Sequence, residues 1–171
     1  LRRLGGLALA TIAFAACSPQ APAQNANDSA PIENNAAAAV PTDGVPQTGL
    51  RQVPLTIRSA TGKHAFTVQV AATPEEQERG LMFTRTLAPD RGMIFPYEPP
   101  RDIAFWMKNT LIPLDMIFIR TDGTIARIYT AQPLDMTPVP SLEPVAAVLE
   151  IAGSRAAELG IREGDRVEWT R

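Results

Sequence analysis

The stretch Phe105–Asp115, FWMKNTLIPLD, sets an aromatic pair and a thioether beside a lysine, an amide, a hydroxyl and a carboxylate. Such a mixture suits ligand binding: cationic donors form charge-assisted hydrogen bonds, and aromatic rings wall off water. Two further blocks carry similar chemistry. Arg79-Gly80-Leu81-Met82 with Arg85 supplies two guanidinium groups and a thioether, and Gly92-Met93-Ile94-Phe95 supplies a thioether and a ring. The candidate ligand-binding set is therefore Arg79, Met82, Arg85, Met93, Phe95, Trp106, Lys108, Asn109, Thr110 and Asp115. Arg79, Arg85 and Lys108 would supply charge, and Asn109, Thr110 and Asp115 would orient a small polar or anionic ligand.

Strand alternation over 103–108 puts Trp106 and Lys108 on one face, with Phe105 and Met107 on the other. Asp115 stands second in the next strand, among Leu114, Met116, Ile117 and Phe118. A carboxylate there needs a cationic or hydrogen-bonding partner. Lys108 fills that role if the two strands pair, with Arg79 and Arg85 as rivals. The pair reads equally as a buried ion pair that fixes register or as part of a ligand site.

Catalytic and metal constellations are hard to assemble. His64 is the single histidine and stands at a strand start, where a structural role is the commoner one. One histidine and one cysteine do not make a zinc site of the usual type, and no nucleotide or hydrolase motif occurs. Gly160–Asp165 lacks the alternating carboxylates of a calcium loop. The five methionines are dispersed, which favours core packing over thioether ligation of copper. No catalytic residue, metal or cofactor is assigned. A hydrolase using Asp115 as general base ranks last, because neighbouring cations would depress its pKa.

The elements that must hold these residues are short. VPLTIR (53–58) and HAFTVQV (64–70) alternate around a Gly-containing turn, which predicts a hairpin. Thr73-Pro74-Glu75-Glu76 has the threonine cap, first-turn proline and glutamate of a helix start, and Gly80 stops it. Strands follow at 92–95, 103–108, 114–121, 124–131, 145–152 and 165–169. A short helix capped by Ser154 and ended by Gly160 precedes the last, and 132–144 is a Pro-rich loop. The fold class is mainly β: a compact β-sandwich or small barrel of about eight short strands with two short helices. No helical pattern is long enough for the crossovers of a doubly wound sheet.

These blocks, in order, with Ile112-Pro113-Leu114-Asp115, Val148-Leu149-Glu150 and Gly164-Asp165, resemble the DUF192 family over about 53–170. The resemblance implies a compact β-sandwich domain, often behind a signal peptide. It implies no reaction, since the family's own function is unknown.

The N-terminus reads as an address. Arg2 and Arg3 precede an apolar run from Leu4 to Ala16, followed directly by Cys17. This is the layout of a secretory signal, too short for a transmembrane helix. A cysteine directly after Ala-Ala resembles the bacterial lipobox, with Phe14 in place of the preferred leucine. The chain thus divides into a signal peptide (1–16), a lipidated Cys17 with a Pro/Ala/Asn tether (17–50), and a β domain (51–171). The tether holds too little apolar surface to fold and would reach roughly 30 Å as a flexible coil. Ser18, in place of the aspartate linked to inner-membrane retention in bacterial lipoproteins, favours the periplasmic side of the outer membrane.

Composition agrees with one globular domain: 171 residues, 45% hydrophobic, 20% charged. The net charge of −2, with no basic run, argues against nucleic acid and makes the lipid, not a basic surface, the membrane anchor. The partners expected are thus the membrane and a small molecule. A structural or adaptor role in envelope assembly, through the Pro-rich loop and an unidentified protein partner, is the alternative.

Overall fold

Alternation builds the first hairpin. In the computed structural model, which describes residues 48–170, β1 (Gln52–Ser59) and β2 (Gly62–Val70) pair antiparallel. Val53, Leu55 and Ile57 are buried on one face of β1, and their neighbours face outward. The expected signal peptide, Cys17 and the expected tether up to residue 47 lie outside the described residues. Leu50, assigned to the tether, packs against the domain.

Helix α1 (Pro74–Arg79) starts as its sequence dictates. Thr73 Oγ1 accepts the Glu76 amide, and the Glu76 carboxylate accepts the Thr73 amide, which satisfies two of the donors a helix start exposes. This helix carries the chain across to β3 (Arg91–Arg101), which lies parallel to β2. The remaining strands are β4 (Ala104–Phe105), β5 (Leu114–Ile119), β6 (Ile125–Ala131), β7 (Val139–Pro140), β8 (Val145–Ala152) and β9 (Arg166–Trp169). Helix α2 (Arg155–Leu159) precedes β9.

Seven strands form one sheet in the order β6-β5-β8-β3-β2-β1-β9, and β4 pairs with β7 separately. The sheet curls into a half-barrel. Its two edges approach where Thr124 bridges Arg166, Ile125 N donates to Asp165 O (2.8 Å) and Val167 N donates to Gly123 O (2.8 Å). One core fills the concave side, with Leu55, Ile57, Val68, Ile117, Leu149 and Ile151 among its members. A second core covers the opposite face, built on Met93, Phe95, Met107, Met116 and Phe118. Strands β5 and β8 are covered on both faces, so they read as continuous apolar runs. Each large side chain so buried contributes about 1.5–3 kcal/mol.

The mainly β class with two short helices is as the sequence reads. Nine strands occur among the described residues, where about eight were expected. The strand expected over 103–108 pairs only at Ala104–Phe105, because its partner β7 is two residues long within the Pro-rich segment. Ser154 occupies the N-cap of α2 but makes no side-chain cap bond; its φ is 69°. The single histidine is structural: His64 Nε2 lies 2.8 Å from Ser59 Oγ and 3.2 Å from Thr61 Oγ1.

Candidate functional site

The outer face of β3 and β8 is not fully covered. The end of α1, the residues around β4 and the first turn after it leave a cavity of about 200 Å³ there. Gly80 has a φ of 45°, and an added Cβ would sit 3.4 Å from the Phe95 ring, so glycine lets the helix end close over that ring. Phe105 meets Phe95 edge-to-face, with centroids 5.0 Å apart, and packs on Phe118 in the same way. Trp106 is 46% exposed at the mouth, and Lys108 Nζ stands 5.2 Å from its ring centroid. That distance is within cation–π range.

Glu150 reaches the cavity from β8. It is 4% exposed and is flanked on the neighbouring strands by Met93 and Met116. Its carboxyl makes no hydrogen bond among the described residues, and burial alone pushes its pKa up to about 8. At neutral pH the group is therefore mostly an uncharged acid, able both to donate and to accept. Tyr97 also lines the cavity. Burial raises its pKa, the Arg101 guanidinium 4.6 Å from its ring centroid opposes that shift, and Glu150 adds to it.

Six of the residues singled out from sequence line this cavity: Arg79, Met82, Phe95, Trp106, Lys108 and Thr110. The other four do not. Met93 is fully buried in the core beside Glu150. Arg85 is exposed on the loop after α1, outside the lining. Asn109 has a φ of 55° and directs Nδ2 to Met82 Sδ at 3.9 Å, outside the lining. Met93, Met107 and Met116 pack in the core, as their strand positions suggest.

Asp115 requires a correction. No bond to Lys108, Arg79 or Arg85 forms. Its carboxylate accepts from Thr130 Oγ1 (2.7 Å), Ser154 N (2.9 Å) and Ala156 N (2.8 Å), and it is fully buried. Leu114 and Met116 face the second core, so Asp115 between them points to the other side of the sheet. It closes the start of α2, the task the sequence gives to Ser154. A general base there would have no access to substrate.

Sequence reasoning missed Glu150 as a site residue, and with it Glu78 and Tyr97. The signal was present in VAAVLEIA, where one acid interrupts an apolar strand. Among the described residues no group of three His, Cys, Asp or Glu side chains could hold a metal, and no helix is long and apolar enough to cross a membrane. A second cleft of about 400 Å³ shares Gln77 and Tyr97 with the first, and the acid that lines it, Glu98, is exposed.

The class so defined is a small curled-sheet β domain with an aromatic-lined cavity on its outer face. The chain belongs to the DUF192 family, described as an uncharacterized ACR, whose pattern matches residues 56–169. No curated protein matches it. A solved protein of unknown function from Novosphingobium aromaticivorans is 47% identical with a TM-score of 0.71, over 74% of this chain and 91% of that one. A second, from Sinorhizobium meliloti and provisionally described as a transcription regulator, is 41% identical with a TM-score of 0.69, over 72% and 97%.

Proposed function

We propose that this domain binds a small polar or anionic ligand in the cavity beside Trp106, and that Cys17 tethers it to the cell envelope by lipid. The observation that carries the binding reading is the convergence of Arg79 and Lys108 with Trp106 on one cavity, neither cation being in an ion pair among the described residues. Two unpaired cations beside aromatic rings are pre-arranged donors whose charge is not cancelled by the fold. The cavity is smaller than most drug-sized sites, which favours a metabolite-sized ligand.

Thermal-shift screening of the full chain against organic anions, sugars, amino acids and short peptides tests the reading. A ligand that raises Tm, with the rise lost in Lys108→Ala and Arg79→Ala variants of unaltered basal Tm, supports it. No stabilisation by any class, with both variants merely less stable, counts against it. Labelling of cells with palmitate tests the anchor: incorporation lost in Cys17→Ser supports lipidation, and an unlabelled protein refutes it. The layout of residues 1–18 supports the periplasmic side of the outer membrane, which membrane fractionation checks.

The alternative, an adaptor module, draws on Leu134, Met136 and Leu142, all exposed in the Pro-rich segment. Photo-crosslinking from that segment in intact cells would yield one reproducible partner under this reading and only scattered neighbours otherwise.

A further inference from the structure

The cavity lining carries both basic and acidic groups. Arg79 and Lys108 supply two cations, and Glu78 and Glu150 supply two acids. The cations belong to the solvent-exposed rim, whereas Glu150 is buried among aromatic and thioether side chains and has no hydrogen-bond partner among the described residues. An acid without a protein partner that lines a cavity is open to pairing with whatever occupies that cavity. Phe95, Tyr97, Phe105 and Trp106 also line the space, and aromatic rings around a carboxylate are the surroundings that favour an ammonium group. Trp106 already stands beside one cation, the Lys108 ammonium.

We infer that the ligand is an amino-acid-like zwitterion, its ammonium seated on Glu150 among the rings and its carboxylate held at the rim by Lys108 and Arg79. The inference deepens the binding reading above and rests on it. A simple anion would leave Glu150 unpaired, and a simple cation would meet repulsion from Lys108 and Arg79 at the entrance. Only a molecule with both charges satisfies both ends. The titratable groups that line the cavity with Glu150 are Tyr97 from β3, Glu78 and Arg79 from α1, and Lys108 beyond β4; Met116, its register partner on β5, does not titrate. On binding, the Glu150 proton leaves to solvent and the carboxylate pairs with the ligand ammonium.

Titration calorimetry of the full chain with free amino acids, their N-acetyl derivatives and their methyl esters tests this. The expected result is binding of a free amino acid, weakened at least about tenfold by N-acetylation or esterification, since each leaves one charged group of the site unpaired. Runs at pH 7 in buffers of different ionisation enthalpy should show release of close to one proton per ligand. Glu150→Gln should weaken the amino acid and leave the N-acetyl derivative unaffected, with a basal Tm at pH 7 no lower than that of the wild type. If N-acetyl derivatives bind as tightly as the free amino acids, or if no proton is released, the zwitterion inference falls while the anion-binding reading stands. If no member of the three sets binds, the zwitterion inference falls, and the binding reading falls with it only when the thermal-shift screen also finds no stabilising class.

Discussion

Asp115 and Glu150 lie on adjacent central strands yet face opposite sides of the sheet. Asp115 is paired in register with Ile151, and Glu150 with Met116, so the two acids are diagonal neighbours separated by one step of alternation. That step decides their chemistry. Asp115 meets three donors and is satisfied, and Glu150 meets none. Among the described residues they are the only buried carboxyls, so one serves the fold and the other opens onto the cavity.

Stability should fall as pH rises because of Glu150. Its pKa is about 8 in the folded chain against an ordinary value of 4.5, so the folded state holds a proton that the unfolded state releases. The contribution is fully present below 4.5 and is lost as pH rises through about 8, a difference on the order of a few kcal/mol. Urea unfolding of the wild type should show this decline, and Glu150→Gln should flatten it. A wild-type profile without any decline between these values would overturn the assignment.

Asp115→Ala should be among the most damaging single substitutions. It strands the buried Ala156 amide together with the partly buried Ser154 amide and Thr130 hydroxyl, and it opens space in a sealed site. At about 1–3 kcal/mol for each unsatisfied donor, a loss of at least about 3 kcal/mol is expected. Ligand affinity of the fraction that remains folded should not change, because Asp115 faces away from the cavity. A selective loss of binding with normal denaturation would contradict the structural role.

The sequence made the scaffold largely readable and the site only in part. Alternation in β1 and β2 and the Thr73–Glu76 cap are local signals, and both formed as written. The aromatic and cationic lining was also legible, because FWMKNT and RGLM carry unusual residues in short runs. What local pattern could not supply was facing. Whether Asp115 or Glu150 turns toward Lys108 depends on which strands are neighbours, and the β5–β8 pairing brings together distant segments. The length of β4 was misread for the same reason, since its partner β7 is far along the chain. Gly92 similarly serves packing: an added Cβ would stand 2.4 Å from the Glu150 carbonyl oxygen.

Asn109 illustrates a residue retained for its backbone. Its φ of 55° lies in the left-handed region, which asparagine tolerates better than most residues. Its carbonyl also accepts the Phe83 amide at 2.8 Å, which ties the turn to the loop after α1. Asn109→Gly should cost little, and Asn109→Ala about 1–2 kcal/mol in chemical denaturation. Equal effects of the two substitutions would mean that the side-chain contact with Met82, not the backbone, sets the choice.

Trp106 should report directly on the cavity. The chain has two tryptophans, and Trp169 lies on β9, outside this lining. A Trp169→Phe variant therefore leaves Trp106 as the single emitter. Because Trp106 is 46% exposed, its emission should be red-shifted and readily quenched by acrylamide. Lys108→Ala in that background should alter the intensity, since the ammonium stands 5.2 Å from the ring. A ligand seated under the ring excludes water from it, so emission should move to the blue and acrylamide quenching should weaken. A ligand that binds by calorimetry yet leaves both readings unchanged would have to sit elsewhere, and the adjoining cleft lined by Arg51, Arg101 and Trp169 would then be the place to look, with Trp169 as emitter in a Trp106→Phe variant.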